Sequence, residues 1–193
     1  MAVAAFISPS AERGCMARDT DSEARTLAIV SDTHVPDREE TIPERFRDLL
    51  READHAVHAG DFTDPEVLAD VRELAGDLTA VHGNMDQTGS GPGALDLPET
   101  DAVTVGGVTF AVTHGTVRSL EAWDDAVAGV AREVGGDPVV GVGGHTHQVR
   151  DVVHDGVRLL NPGSVTGAAP AERATMLTVT VTAGELDVTV HEV

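Results

Sequence analysis

Leu27–Val35 reads LAIVSDTHV, four apolar residues that run straight into Ser31, Asp32, Thr33 and His34. A continuous apolar run bounded by polar turn residues suits a strand covered on both faces. In open α/β sheets, ligands gather just beyond the carboxyl ends of such strands. Asp32 and His34 stand two apart, a spacing that in extended backbone points both side chains to one side. A lone D-x-H is a weak metal signal. Its weight depends on what the other strand ends supply.

Outward from this stretch, strands and helices alternate. Pro43 sits where a first helical turn accepts proline, and Phe46, Leu49 and Leu50 recur at helical spacing. His55–His58 reads as a short strand ending in Ala59-Gly60-Asp61. Asp64-Pro65 is an N-cap followed by a first-turn proline, opening a helix to about Leu74. Leu78–His82 is the third strand and ends in Gly83-Asn84. This β-α-β-α-β order is the signature of a parallel sheet with crossover helices, so the fold class is α/β.

Residues 86–100, DQTGSGPGALDLPET, read as a long loop. Hairpins follow, Ala102–Val105 with Val108–Thr113 about Gly106-Gly107, and Val152–His154 with Val157–Leu160 about Asp155-Gly156. Between them the spacing predicts a helix over Ser119–Glu133 and a strand over Val139–Val142. The C-terminus alternates over Met176–Val181 and Glu185–Val190, a last hairpin. Residues 1–25 show no sustained periodicity and are expected to form a flexible N-terminal extension, leaving 26–193 as one domain.

Charge is the anomaly of composition. There are 33 acidic residues against 13 basic ones, every one of them arginine, for a formal charge of −20. That excludes nucleic-acid wrapping and attachment to anionic membranes, which need a basic face. It points to a halophilic protein, because at about 1 M salt the Debye length falls to roughly 3 Å and the self-repulsion is screened; the alternative is an acidic surface that serves mainly solubility. The single cysteine, Cys15, excludes an internal disulfide and a thiolate cluster. No apolar run approaches the ~20 residues that span a bilayer, and the first 15 residues make a poor signal peptide, with Met16 an alternative start. The expectation is a cytoplasmic protein, with assembly into a homo-oligomer left open.

Five strand ends carry candidate ligands: Asp32 with His34, Asp61, Asn84, His114, and His145 with His147. Glycine flanks four of the five, which lets backbones crowd closely. Imidazole, carboxylate and amide oxygen without thiolate suit a hard or borderline divalent ion such as Mn²⁺, Fe²⁺, Ni²⁺ or Zn²⁺. Seven ligands are too many for one tetrahedral ion and suit two ions that share a carboxylate.

These motifs, D-x-H, G-D, G-N, H-G and G-H-x-H in this order, resemble the calcineurin-like metallophosphoesterase superfamily. The short chain and the following Asn161-Pro162-Gly163-Ser164 resemble its small YfcE-like phosphodiesterase branch. The resemblance implies two mixed β-sheets packed face to face with helices on the outside. It implies two divalent ions, with Mn²⁺ expected first. Asp32, His34, Asp61 and His147 would hold one, and Asp61, Asn84, His114 and His145 the other. Asp61, Asn84 and His114 would then act in catalysis, by attack of a metal-bridging hydroxide on a small phosphodiester. Two dications, two aspartates and one hydroxide leave one net positive charge, enough to draw a diester monoanion into an acidic protein. The histidines must be neutral to coordinate, so activity should fall in acid.

Two departures stand out. Where many superfamily members have histidine after Gly-Asn, this chain has Met85, and a thioether cannot donate a proton. Slow chemistry that favours good leaving groups follows. Where others read H-G-H, this chain has His114-Gly115-Thr116. Outside the ligand set, His58, His82 and Asp86 are candidates for supporting contacts. Asn161 and Ser164 read first as a turn, Trp123 as core, and Arg118 as a surface ion pair or a phosphate contact. The alternatives to a phosphodiesterase are a phosphomonoesterase and a non-catalytic protein-binding scaffold of the same fold.

Overall fold

The apolar run of residues 27–30 forms the last four residues of a six-residue central strand. The computed structural model describes residues 23–193, so Cys15, Met16 and most of the expected extension lie outside the described residues. Strand β1 (Arg25–Val30) pairs in parallel with β2 (His55–His58), which pairs in parallel with β3 (Leu78–Ala80). On its other side β1 runs antiparallel to β9 (Thr175–Thr182), and β10 (Glu185–Glu192) closes the edge. A second five-stranded sheet orders β4 (Thr100–Val105), β5 (Val108–Thr113), β6 (Val139–Val142), β8 (Val157–Pro162) and β7 (Val149–His154). Here β5, β6 and β8 are parallel and the two edge strands antiparallel. Both sheets are therefore mixed, as the resemblance implied.

Pleat alternation divides the core into three layers. Leu27, Ile29 and Val57 of the first sheet meet Phe110, Val112, Val140, Val142 and Leu160 of the second. Ala28, Val30 and Ala56 point the other way, onto Phe46 and Leu50 of α1 (Glu44–Glu52) and Leu68 and Val71 of α2 (Pro65–Ala75). Ala111 and Leu159 pack on Trp123 and Val127 of α3 (Leu120–Val134). Asp64 and Ser119 cap α2 and α3 by accepting from the backbone N–H of Glu66 and Ala122. The arrangement has four layers, with helices on the two outer faces. The long loop after β3 holds only the isolated bridge Thr88↔Leu95. Among the described residues, no helix is long and apolar enough to cross a membrane.

What this topology does for chemistry is simple. β1, β2 and β3 of one sheet and β5 and β6 of the other all end at one rim, and each is followed by one of the five candidate motifs.

Candidate metal centre

At that rim the backbone leaves extended geometry. Asp32, His34, Asp61, His145 and His147 all have positive φ, between 49° and 68°. Asp32 and His34 thus point into the same space through left-handed turns and not through an extended D-x-H, which corrects the expectation from spacing. Aspartate and histidine are among the residues that tolerate this region best, at a cost a functional site can bear. Crowding adds a second constraint: a Cβ on Gly83 would overlap the Asp61 carboxylate.

All seven candidate ligands meet. Asp32 Oδ1 lies 3.2 Å from His147 Nε2 and 3.9 Å from His34 Nε2, and the two histidine nitrogens are 3.2 Å apart. Asp61 Oδ2 sits between two groups, 3.5 Å from His34 Nε2 and 3.4 Å from His114 Nε2. Asn84 Oδ1 lies 3.2 Å from His114 Nε2 and 2.9 Å from His145 Nδ1. Two clusters, Asp32-His34-His147 and Asp32-Asp61-His114, have the mutual reach to hold a metal ion. Asp32, His34 and Asp61 are almost fully buried, whereas Asn84 is exposed and His145 half-buried. The centre opens to solvent on the Asn84 side.

The outer nitrogens of three histidines reveal what the inner ones are for. His114 Nδ1 donates to the Ala59 carbonyl (2.7 Å), His147 Nδ1 to Ala168 (2.8 Å) and His145 Nε2 to Val117 (2.9 Å). Each carbonyl fixes a neutral tautomer whose other nitrogen is a bare lone pair. Those lone pairs aim at Asp61, Asp32 and Asn84 oxygens, which are also acceptors. Acceptor facing acceptor is repulsive unless a cation or a proton lies between, so the donor set fits divalent metal. Without metal a proton competes for the same place. Burial pushes His114 and His147 down, but the neighbouring Asp61 and Asp32 carboxylates more than offset it, and both end above the ordinary histidine value. His34, whose Nδ1 is buried with no partner, is held below it, chiefly by burial.

Supporting contacts were only partly foreseen. Asp86 accepts from the backbone N–H of Asp61 (2.9 Å), Thr63 (2.8 Å) and Gly83 (2.7 Å), tying two ligand loops together. His58 is fully buried, stacked on Phe62; its Nδ1 accepts from Gly60 N–H and its Nε2 donates to Thr33 Oγ1. His82 is half-buried, and its Nδ1 lies 3.4 Å from the Gly83 carbonyl. Thr116 Oγ1 donates to Asn84 Oδ1 at 3.4 Å. Asn161 and Ser164 do more than turn the chain: Asn161 Nδ2 donates to the Gly144 carbonyl before His145, and Ser164 Oγ to the Asp32 carbonyl. Trp123 is core, as expected, yet its Nε1 also donates to Gly144. Arg118 is exposed beside His145. Ser31 Oγ, 2.6 Å from Asp32 Oδ2, was legible only as a neighbour in the sequence.

Burial drives the His58 pKa from 6.5 down to about 3. Between those values the unfolded chain takes up a proton that the fold refuses, so stability falls as pH drops from 6.5 towards 3, by about 1.4 kcal/mol per pH unit. In chelator-treated protein, the difference in unfolding free energy between wild type and His58→Phe is expected to shrink across that window. A constant difference would refute it.

Residues 26–184 match the calcineurin-like phosphoesterase superfamily domain, and the chain belongs to that family. A probable metallophosphoesterase of Methanothermobacter thermautotrophicus is 33% identical over 142 residues, covering 72% of this chain and 77% of its own. Among solved structures, Vps29 from Chaetomium thermophilum superposes with a TM-score of 0.68 at 24% identity, covering 88% of this chain and 97% of its own. A predicted phosphoesterase from Streptococcus pneumoniae superposes at 0.65 and 21% identity, covering 88% and 90%. The chain has the metallophosphoesterase fold, and the family is one of metal-dependent phosphoester hydrolases.

Proposed function

We propose that this chain is a dinuclear phosphodiesterase acting on small phosphodiesters, with Mn²⁺ as its preferred metal, in the cytoplasm of a salt-adapted cell. Asp32, His34, Asp61 and His147 would hold one ion, and Asp61, Asn84, His114 and His145 the other. The observation that carries this reading is the set of three carbonyl-locked histidines aimed at carboxylate and amide oxygens. When bound, the cations supply Lewis-acid activation of water and of the phosphoryl oxygens. The chain's own residues do the rest. Asp61 Oδ2, within 3.5 Å of both His34 Nε2 and His114 Nε2, would serve both ligand groups. Asn84 contributes a neutral oxygen, which keeps the open half of the site less negative towards an anionic substrate, and Thr116 orients that oxygen.

A diester is preferred to a monoester here on the resemblance to the small phosphodiesterase branch that Asn161-Pro162-Gly163-Ser164 carries. Protein dialysed against chelator, then given Mn²⁺ in high salt, is expected to regain turnover of bis(p-nitrophenyl) phosphate well above that of the monoester. No metal-restored turnover would favour the non-catalytic scaffold, and a preference for the monoester would favour the phosphomonoesterase.

Met85 is 44% exposed beside Asn84, and only its backbone serves the site, donating to Asp61 Oδ1 at 2.8 Å. With no proton donor there, poor leaving groups should lag. Met85→His is expected to speed their hydrolysis by at least about tenfold, a part of the 10²–10⁴-fold that a well-placed general acid supplies, and to leave p-nitrophenyl esters nearly unchanged. An equal effect on both classes would refute the assignment.

A further inference from the structure

A cleft of about 420 Å³ begins at Asn84 and His114 and runs away from the centre between β4 and α3. Its volume lies within the roughly 300–1,000 Å³ range of small-molecule sites, far more than a methyl or ethyl ester needs. Val117, Ala126 and Val130 line it on the α3 side, and Glu99 and Thr100 on the β4 side. Among the described residues that line it there is no arginine, and the chain contains no lysine. The cleft opens from the exposed, Asn84 half of the centre, the side from which a substrate must arrive.

Resting on the phosphodiesterase reading above, we infer that this cleft is the subsite for one ester arm of the substrate, and that the arm is bulky, nucleoside-sized and free of negative charge. The three apolar side chains give it a surface for a flat ring, where burial of apolar area favours association. The Glu99 carboxylate and the Thr100 hydroxyl offer acceptors to sugar or base N–H and O–H groups. The same carboxylate, with no arginine among the described lining residues, repels a second phosphate or a carboxylate on that arm. Pyrophosphate-containing and dianionic substrates are thereby excluded, and the phosphate group is left at the mouth beside Asn84 and His114.

The test compares two uncleavable phosphinates by calorimetric titration of the Mn²⁺-loaded protein in high salt. One is dimethylphosphinate; in the other a 5′-deoxythymidinyl group replaces one methyl. The thymidinyl probe is expected to bind about tenfold or more tightly, the scale at which hydrophobic pockets discriminate. That preference should collapse in Thr100→Trp, at an exposed position that leaves folding undisturbed, and in Val130→Trp, both of which fill the cleft. Equal affinity for the two probes, no detectable binding of the thymidinyl probe, or an undiminished preference in Thr100→Trp overturns the inference. Failure of the catalytic reading looks different: the arm preference persists while Mn²⁺ restores no turnover of bis(p-nitrophenyl) phosphate in the same preparation.

Discussion

Asp61→Asn is expected to reduce turnover by more than the roughly 10–100-fold that loss of an outer-shell partner costs, and to abolish binding of at least one Mn²⁺. Asparagine keeps the left-handed backbone available, since Asp61 sits at φ 60°, and can still accept from the Met85 N–H. What it loses is the charge that lies 3.5 Å from His34 Nε2 on one side and 3.4 Å from His114 Nε2 on the other. In the metal-free fold burial pushes the Asp61 carboxyl up, but the His114 ring and the Met85 N–H more than offset it and hold it below the ordinary carboxylate range, so losing the charge should cost some stability without metal as well. The rise in stability on adding metal therefore separates the two roles. Mn²⁺ at one hundred times its dissociation constant stabilises a binding-competent protein by about 2.7 kcal/mol, a rise that wild type should show and Asp61→Asn should largely lose. A variant that kept the full thermal shift and normal turnover would remove Asp61 from the centre.

Much of this was readable from the chain because strand ends and ligands coincide in it. LAIVSDTHV announces both a buried strand and two donors, and β2, β3, β5 and β6 repeat the pattern. Periodicity carried the α/β class and nearly every element, with boundaries shifted by a few residues: β3 ends at Ala80 and β7 begins at Val149. The split into two sheets was a matter of resemblance, since nothing local tells β4 and β5 to leave the first sheet. The supporting shell was far less legible. Ala59, Val117 and Ala168 serve through main-chain carbonyls, and a carbonyl has no side-chain signature. The left-handed turns at Asp32, His34 and His147 were hidden for a related reason. Aspartate and histidine adopt both extended and left-handed backbone, so spacing alone favours the commoner one. Arg38 shows the same limit: its backbone N–H donates to the His34 carbonyl and its guanidinium to Ala169, joining segments 131 positions apart.

Asp86→Ala is the substitution outside the ligand set with the largest expected cost. One carboxylate, 8% exposed, accepts three backbone N–H groups, and its removal leaves those of Asp61, Thr63 and Gly83 without their acceptor. Each buried donor left unpaired costs about 1–3 kcal/mol, and those of Asp61 and Gly83 are buried while that of Thr63 is half-buried, so a loss of at least about 2 kcal/mol is expected against the 5–15 kcal/mol typical of a domain. The damage should reach the metal as well. Asp61 and Asn84 stand on the two loops that Asp86 ties together, so Mn²⁺ affinity should drop roughly 10–100-fold. Asp86→Asn, which keeps one carbonyl oxygen, should recover part of both losses. Denaturant unfolding in high salt and Mn²⁺ titration measure the two effects separately. If Asp86→Ala unfolded at the wild-type midpoint, the three N–H groups would have to find other acceptors, and the loops carrying Asp61 and Asn84 would not depend on this carboxylate for their positions.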